Sequence, residues 1–252
     1  MSLLDRIVAA KREEVKNLKQ IKASPVQSRF APAIRRSPGQ SVRVIAECKR
    51  TSPSSGRMRE VYDPESIASE YADLGAAALS VLTDNEFFEG KEEHLALARK
   101  SKLPALRKDF VIDERQIHET AALEADAVLL IVRILDQYQL LDYLQIAEGL
   151  GLAALVETHN EAEIERALAA KAGIVGINHR DLDTLQMDLT LTPRLAPQIR
   201  KHHPGTILVA ESGVESVEGL RTVESFTDAV LMGTAFMKSS SISAAWKKIF
   251  GA

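Results

Sequence analysis

This sequence of 252 residues has little cysteine and few aromatic residues: there is one cysteine, and aromatic residues make up only 5%. A single cysteine excludes an intrachain disulfide, and no Cys/His group has the spacing of a zinc site. The net charge is only −3, which argues against nucleic acid or an anionic membrane as the main partner. The sequence has no signal peptide and no apolar run long enough to span a bilayer, so we expect a cytoplasmic protein.

The sequence does contain short apolar runs that alternate with segments of helical periodicity. The eight runs are residues 42–48, 77–82, 104–106, 127–132, 153–156, 174–177, 207–210 and 229–232. This alternation implies parallel strands with crossover connections, in the proportion of a (β/α)₈ barrel. An open sheet of nine or ten strands would normally carry a Gly-rich nucleotide loop after its first strand, and residues 52–56 are not such a loop. The sequence therefore predicts an α/β protein with a (β/α)₈ TIM barrel.

Helix-capping signals follow several of the apolar runs. Asp63 precedes a proline at a first helical position. Asp113 with Gln116, and Asn160 with Glu163, have the spacing of capping boxes. These signals place helices directly after strands, as the barrel requires.

The first forty residues precede the alternation. Leu4, Ile7, Val8, Lys11 and Val15 trace a helical stripe, and residues 22–40 are polar, basic and interrupted by three prolines. We expect a single barrel domain over residues 1–252, with residues 1–40 as an extra N-terminal helical segment.

Charged side chains lie at the carboxyl ends of the predicted strands, where a barrel carries its active site. Glu47 and Lys49 alternate onto the same face of strand one, while Cys48 faces the helices and is expected to be a buried, unreactive thiol. An ordinary ion pair would explain Glu47 and Lys49 by themselves. Stability gives no reason, however, to collect Lys108, Glu157 and Glu211 around the same opening, because buried charges are costly.

Small residues follow the last two strands. Ser212-Gly213 ends strand seven and Gly233-Thr234 ends strand eight. Backbone N–H groups at such turns can approach an anion closely, so their position predicts a phosphate-bearing substrate.

These motifs resemble the indole-3-glycerol phosphate synthase family. The resemblance is carried by residues 45–54, 80–84, 87–90, 107–110, 128–132, 156–157, 176–182 and 210–213. The Glu-x-Lys-x-x-Ser-Pro-Ser motif within residues 47–54 is the most specific of them. The family is a (β/α)₈ barrel with an N-terminal helical segment over its mouth.

The resemblance implies a lyase (a decarboxylase) of tryptophan biosynthesis, an aromatic amino-acid pathway. Its reaction is ring closure, decarboxylation and dehydration of 1-(2-carboxyphenylamino)-1-deoxyribulose 5-phosphate to indole-3-glycerol phosphate. The family uses no metal and no organic cofactor. We expect a monomer whose partner is this small phosphorylated molecule, with no nucleic acid and no membrane.

The resemblance also assigns catalytic residues. Lys108 would protonate the substrate carbonyl, and Glu157 would transfer a proton in the dehydration. Glu47 would orient substrate hydroxyls or act as a base. Lys49 would hold the substrate carboxylate and could also serve as an acid. Neighbouring charges shift one another's pKa, so spacing alone does not fix which group moves which proton.

Further site residues follow from the same resemblance. Asn178 would hydrogen-bond the substrate or Glu157, and Glu211 would contact polar groups nearby. Arg180 would bind substrate. The phosphate would be bound by Ser52, Ser212, Gly213, Gly233 and Thr234, and the anthranilate ring by Phe88, Phe110 and Leu129.

Two positions depart from the family and two other functions stay open. Position 179 is His where Asn is usual, and position 234 is Thr where Ser or an acid is common. One alternative is another phosphosugar barrel enzyme such as phosphoribosylanthranilate isomerase, but no Asp replaces Glu47 or Lys108. The other is a non-catalytic phosphate-binding barrel, against which the retention of the whole catalytic set argues.

Overall fold

In the computed structural model, which describes residues 1–251, eight parallel strands close into a barrel. Each strand pairs with the next along the chain, and the eighth pairs with the first. The strands are β1 Arg43–Cys48, β2 Ala78–Leu82, β3 Ala105–Lys108, β4 Ala127–Ile131, β5 Ala153–Thr158, β6 Ile174–Asn178, β7 Ile207–Glu211 and β8 Ala229–Met232. The predicted TIM barrel is confirmed.

Strands β3 and β5 continue two residues beyond the predicted apolar runs. The additional residues include Lys108 and Glu157, which are charged but still hydrogen-bonded in the sheet. The polar ends of the strands therefore belong to the barrel wall, which fixes their side chains more rigidly than a loop would.

Helices separate the strands and cover the barrel. They are α1 Leu3–Glu14, α2 Phe30–Ile34, α3 Pro64–Asp73, α4 Asn85–Phe88, α5 Glu92–Ala98, α6 Glu114–Ala122, α7 Gln137–Gly149, α8 Glu161–Ala169, α9 Leu191–His202, α10 Val217–Val223, α11 Thr234–Lys238 and α12 Ile242–Phe250. Short 3₁₀ turns span Val15–Asn17, Arg99–Ser101 and Val132–Ile134. No helix of the described chain is long and apolar enough to cross a membrane.

The predicted caps are present, with one change of partner. Asp63 accepts hydrogen bonds from the first turn of α3, and Asp113 forms a complete capping box. Asn160 accepts from the Glu163 backbone N–H, but the Glu163 carboxylate accepts from the His159 backbone N–H and not from that of Asn160. In a standard capping box the Glu163 carboxylate would bond the backbone N–H of the N-cap residue, Asn160. Here it bonds the backbone N–H of the residue before the N-cap.

The core has an inner and an outer layer. Alternate strand residues such as Ile45, Leu106 and Leu155 fill the barrel interior. Their neighbours face the helices, and Cys48 lies fully buried in that outer layer near Tyr71. This is the orientation expected for Cys48, and burial raises the pKa of its thiol well above the ordinary value.

The N-terminal segment reaches both ends of the barrel. Helix α1 lies at the carboxyl ends of the strands, where Leu4 and Ile7 pack into the barrel mouth. Helix α2 lies at the opposite end: its Phe30 is fully buried in the barrel interior. The backbone N–H groups of Arg29 and Arg36 there bond to Asp126 and Asp228, just before β4 and β8. Only the first part of residues 1–40 therefore covers the mouth.

Candidate active site

A cavity opens at the carboxyl ends of the strands, under helix α1. All fifteen residues named from the sequence line it: Glu47, Lys49, Ser52, Phe88, Lys108, Phe110, Leu129, Glu157, Asn178, Arg180, Glu211, Ser212, Gly213, Gly233 and Thr234. The apolar side chains Leu3, Leu4 and Ile7 of α1 also line it. Sequence reasoning predicted this helix from its stripe but did not assign its side chains to the site.

Lys108 lies at the centre of a buried charge cluster. Its Nζ is 2.8 Å from Glu157 Oε2 and 3.5 Å from Glu211 Oε2. Both carboxylates are almost completely buried, whereas the Lys108 side chain keeps 15% of its surface exposed, towards the cavity. An ammonium group is thus presented to the cavity by strand β3, with carboxylates from β5 and β7 behind it.

The cluster sets the charge of each member. Burial by itself would lower the pKa of Lys108, but Glu157 and Glu211 outweigh it and raise this pKa above its usual range. Burial would raise the pKa of Glu157, but Lys108 and His159 hold it well below the ordinary value. Burial and the nearby Glu157 raise the pKa of Glu211 to about 8. At neutral pH the cluster therefore contains a protonated lysine, an ionised Glu157 and a largely neutral Glu211.

A second ion pair lies at the end of β1. Lys49 Nζ is 2.5 Å from Glu47 Oε1, and the Ser80 hydroxyl donates to Glu47 Oε2 at 3.4 Å. Gly233 makes room for this pair, since a Cβ at that position would lie 2.8 Å from Glu47 Cβ. The cavity therefore has one Lys/Glu pair on β1 and another between β3 and β5.

The turn after β7 has the geometry of an anion site. Ser212 and Gly213 both have positive φ, 65° and 77°. A left-handed conformation is unusual for serine, and it is held by His179. The His179 Nδ1–H donates to the Ser212 carbonyl at 2.8 Å, and its Nε2 accepts from the Thr192 hydroxyl at 2.8 Å. Burial lowers the pKa of His179, in keeping with a neutral ring.

Aromatic and apolar side chains form one side of the cavity. The Phe88 and Phe110 ring centroids are 6.1 Å apart with an interplanar angle of 34°. Leu129 projects from β4 beside them, and Leu4 and Ile7 belong to the same apolar cluster. This surface suits a flat apolar ring.

Asn178 and Arg180 stand at the end of β6. The side-chain oxygen Oδ1 of Asn178 accepts from the Arg180 backbone N–H at 3.1 Å, which leaves the side-chain NH₂ of Asn178 available to the cavity. Arg180 is partly exposed and lines the cavity. With Lys49 and Lys108, it gives the mouth three cationic groups, which suit an anionic ligand.

Lys11 of α1 was not predicted as part of the site region. Its Nζ is 2.7 Å from Asp109 Oδ1 and 3.2 Å from Asp84 Oδ2, and its side chain is 2% exposed. Asp109 follows Lys108 directly, so this ion cluster fastens α1 over the strand that carries Lys108. The only sequence signal was a lysine within an otherwise apolar helical stripe.

The site has hydrogen-bond donors, acceptors and two Lys/Glu pairs suited to proton transfer. Among residues 1–251, no group of three or more His, Cys, Asp or Glu side chains is placed to hold a metal ion. The arrangement can bind an anion at the β7 and β8 turns and an aromatic ring near β4. Between the two it can move protons at a carbonyl or hydroxyl oxygen.

Known proteins resemble this chain in sequence over nearly its whole length. The sequence pattern of the indole-3-glycerol phosphate synthase family matches residues 4–249. An indole-3-glycerol phosphate synthase from Leptospira interrogans is 40% identical over 249 residues, which cover 98% of this chain and 97% of that protein. Another, from Chlorobium chlorochromatii, is 42% identical over 247 residues, covering 92% and 94%.

A solved structure resembles the fold alone. Thiamine phosphate pyrophosphorylase from Pyrococcus furiosus superposes with a TM-score of 0.60 at 15% identity, covering 82% of this chain and 93% of that one. The family match and the two relatives, by contrast, rest on sequence similarity over nearly the whole chain. The chain belongs to the indole-3-glycerol phosphate synthase family.

Proposed function

We propose that this protein converts 1-(2-carboxyphenylamino)-1-deoxyribulose 5-phosphate to indole-3-glycerol phosphate, CO₂ and water, as a carboxy-lyase of tryptophan biosynthesis. The observation that carries the proposal is the position of Lys108. It is a lysine kept charged by Glu157 and Glu211 and directed into a cavity with an anion-type turn and an apolar wall. Family membership supports the same reaction.

The two ends of the substrate match different parts of the cavity. The phosphate is bound by backbone and hydroxyl groups of Ser212, Gly213 and Thr234, with Ser52 and Gly233 beside them. The anthranilate ring lies against Phe88, Phe110 and Leu129. Lys49 and Arg180 neutralise the anionic groups, and Asn178 donates a hydrogen bond to a sugar oxygen.

Ring closure uses the Lys108 ammonium group. The ring carbon that bears the carboxylate attacks the sugar carbonyl carbon, and the carbonyl oxygen takes a proton from Lys108. The carboxylate then leaves as CO₂, and its bonding electrons restore the aromatic ring. Because Glu157 and Glu211 keep Lys108 protonated, the acid is ready before the substrate binds.

Dehydration needs one proton given and one removed. The hydroxyl formed in ring closure leaves as water with a proton from Lys49 or Lys108. Glu157 is ionised and removes the proton from the carbon next to nitrogen, which completes the indole double bond. Glu47 orients the sugar hydroxyls through its contact with Lys49, and Glu211 supports Lys108.

We also propose that the enzyme works as a monomer in the cytoplasm with no cofactor. The proposal of a monomer is supported by the cavity, which is complete within one chain because every predicted site residue lines it. The location is supported by membership of a biosynthetic family.

The test is a fluorescence assay for indole-3-glycerol phosphate with the purified protein. Lys108→Ala should lower kcat by about 10³-fold or more, because general acid catalysis of this kind contributes about 10²–10⁴-fold. Phosphate binding should be largely retained. Lys201→Ala, which changes an exposed lysine, is the matched control and should leave kcat unchanged. Wild-type turnover in Lys108→Ala would refute the assignment, and absence of product with wild type would refute the function.

A further inference from the structure

His159 is a buried histidine that the mechanism above leaves without a task. It follows Glu157 by two residues at the end of β5, and its side chain is 1% exposed. Its Nε2 lies 3.2 Å from Glu157 Oε1, and its Nδ1 lies 3.0 Å from Glu163 Oε2. The Nε2 contact is close but lacks the geometry of a regular hydrogen bond.

Both ring nitrogens of His159 therefore face carboxylates. A neutral imidazole carries only one N–H, so the lone pair of its second nitrogen would lie close to a carboxylate oxygen. That arrangement is repulsive in a buried place, whereas an imidazolium places a proton at each nitrogen. The geometry indicates a charged His159 between two carboxylates.

The contacts continue outward from Glu163 and hold it in place. Glu163 accepts from the His159 backbone N–H at 2.8 Å and from the Asn160 amide at 2.9 Å. Arg133, in the turn after β4, donates to Glu163 at 3.0 Å and also pairs with Asp181. Since Asp181 follows Arg180, the same chain of contacts reaches the loop that carries a cationic wall of the cavity.

We propose that His159 is a positioning residue for this reaction: it holds the Glu157 carboxylate in a fixed orientation and in its ionised form. The proposal rests on the proposed function, in which Glu157 removes a proton. It adds a residue that does not line the cavity and acts only through Glu157.

The charged groups that face this pair come from several elements. Glu157 Oε2 meets Lys108 of β3 and its Oε1 meets His159, so it lies between two cations. Glu211 of β7 is the neighbouring carboxylate, and Glu163 of α8 is the second partner of the ring. Burial would lower the pKa of His159, but Glu157 and Glu163 raise it to about 9.

The contact between His159 and Glu157 thereby separates the roles of two adjacent carboxylates, Glu157 and Glu211. Glu157 has two cationic contacts and stays ionised, while Glu211 shares only Lys108, at the longer distance of 3.5 Å. The excess proton of the cluster therefore resides on Glu211. Without His159, the two carboxylates would compete more evenly for it, and part of the enzyme would carry a protonated, inactive Glu157.

The first test measures the ring itself, in the wild-type protein without substrate. Nitrogen-15 NMR of the histidine side chains should show both ring nitrogens of His159 protonated at pH 7, identified by loss of the signal in His159→Gln. Deprotonation should occur only near pH 9. A neutral His159 ring at pH 7 would overturn the proposal, whatever the activity of the enzyme.

The second test measures turnover in variants. His159→Leu should lower kcat by about 10- to 100-fold, as expected for a displaced catalytic group, with KM changed less than about 3-fold. His159→Gln keeps a donor towards Glu157 without the charge, and should recover much of kcat. In both variants the acid limb of kcat/KM should move up by about one pH unit, since a cation has been removed from Glu157.

Controls separate positioning from simple loss of structure. His202→Gln changes an exposed histidine and should leave kcat and the acid limb as in wild type. Glu163→Gln should lower kcat less than His159→Leu, because the ring keeps its contact with Glu157. If folded His159→Leu had wild-type kcat and an unmoved acid limb, the proposal would be wrong. If the wild-type enzyme made no product although both ring nitrogens of His159 were protonated, the proposed reaction would be wrong, whereas the charge assigned to His159 would be confirmed.

Discussion

Two lysines lie among carboxylates at the barrel mouth, and their surroundings differ in one respect. Lys11 meets Asp109, Asp84 and Glu14 at 2.7–3.2 Å and does not line the cavity. Lys108 meets Glu157 and Glu211 and does line it. Among the described residues, Glu211 Oε1 is a buried oxygen without a hydrogen-bond partner, and no atom of the Lys11 cluster is in that state.

The difference separates a structural cluster from a reactive one. In the Lys11 cluster Asp84 and Asp109 are buried, Arg107 adds a second cation beside Asp109, and Lys11 does not reach the cavity, so these ion pairs fasten α1. In the Lys108 cluster the ammonium group borders the cavity, where it remains available to a ligand. Incomplete pairing, rather than the presence of buried charge, marks the group that does chemistry.

Lys11→Met is the substitution that breaks the structural cluster. It leaves Asp84 buried without its cation and Asp109 with Arg107 alone, so the free energy of unfolding should fall by about 3–5 kcal/mol. Urea denaturation followed by circular dichroism measures this loss. Lys16→Met removes an exposed pair with Glu13 and should cost less than about 1 kcal/mol, which makes it the control. Equal midpoints for the two variants would contradict a structural role for Lys11.

Gly176→Ala tests the reactive cluster by shape alone. A Cβ on this β6 residue would collide with Glu211 Oε1, and the buried carboxylate would have to move away from Lys108. We expect a loss of about 1–3 kcal/mol in stability, together with a fall of about 10-fold in kcat. Gly173→Ala, which has open space around its Cβ position, should change neither quantity appreciably. A Gly176→Ala enzyme with unchanged kcat would show that the position of Glu211 does not matter.

Glu211→Gln replaces a titratable carboxyl group of the Lys108 cluster by an amide that does not titrate. With a pKa near 8, folded Glu211 holds a proton that the unfolded chain loses near pH 4.5, so raising the pH between these values destabilises the fold. The variant lacks this contribution. Relative to wild type, its free energy of unfolding should therefore rise by about 3 kcal/mol between pH 5.5 and pH 8, since about two pH units at about 1.4 kcal/mol each are involved. Urea midpoints at the two pH values would measure the difference, and parallel pH profiles would contradict the raised pKa.

His179→Asn restores the residue usual in the family at a position beside the Ser212 turn. Asn can donate to the Ser212 carbonyl but does not reach Thr192 as the imidazole does, so one neutral hydrogen bond is lost. We expect a loss of about 1 kcal/mol in stability and a rise of less than about 5-fold in KM, with kcat retained. His179→Ala removes both bonds and should raise KM further. Steady-state kinetics with a phosphate inhibition series would reveal whether the turn is affected.

The eight strands and the site residues were within reach of sequence reasoning because their signals are local. An apolar run of three to seven residues followed by a helix cap is visible in a short window, and Glu47-x-Lys49 lies at the end of one strand. Lys108 and Glu157 were placed correctly at the ends of β3 and β5, but the apolar runs stop two residues too early, since charged residues that still pair in the sheet leave no apolar signal. The antiparallel pairing of Thr51–Ser52 with Gly56–Arg57 was also missed in a Ser/Pro/Gly segment.

The remaining features depend on distant partners. Lys11 meets Asp109 across almost one hundred residues, and only the folded chain shows that a lysine in an apolar stripe has a buried anion to meet. His159 appeared as one of several scattered histidines, because the two carboxylates that flank it are informative only once their orientation is known. Gly176 lies in a segment that carries the family resemblance, but the sequence did not indicate why glycine is needed there, since its importance lies in the space that a neighbouring strand's side chain occupies.

The backbone N–H of Arg36, two residues after helix α2, bonds to Asp228, a residue 192 positions later in the chain. Helix α2 is thus tied to the turn before the final strand, and this tie can form only when the barrel has closed between its first and last strands. A substitution at Asp228 should therefore loosen a helix far away in the sequence.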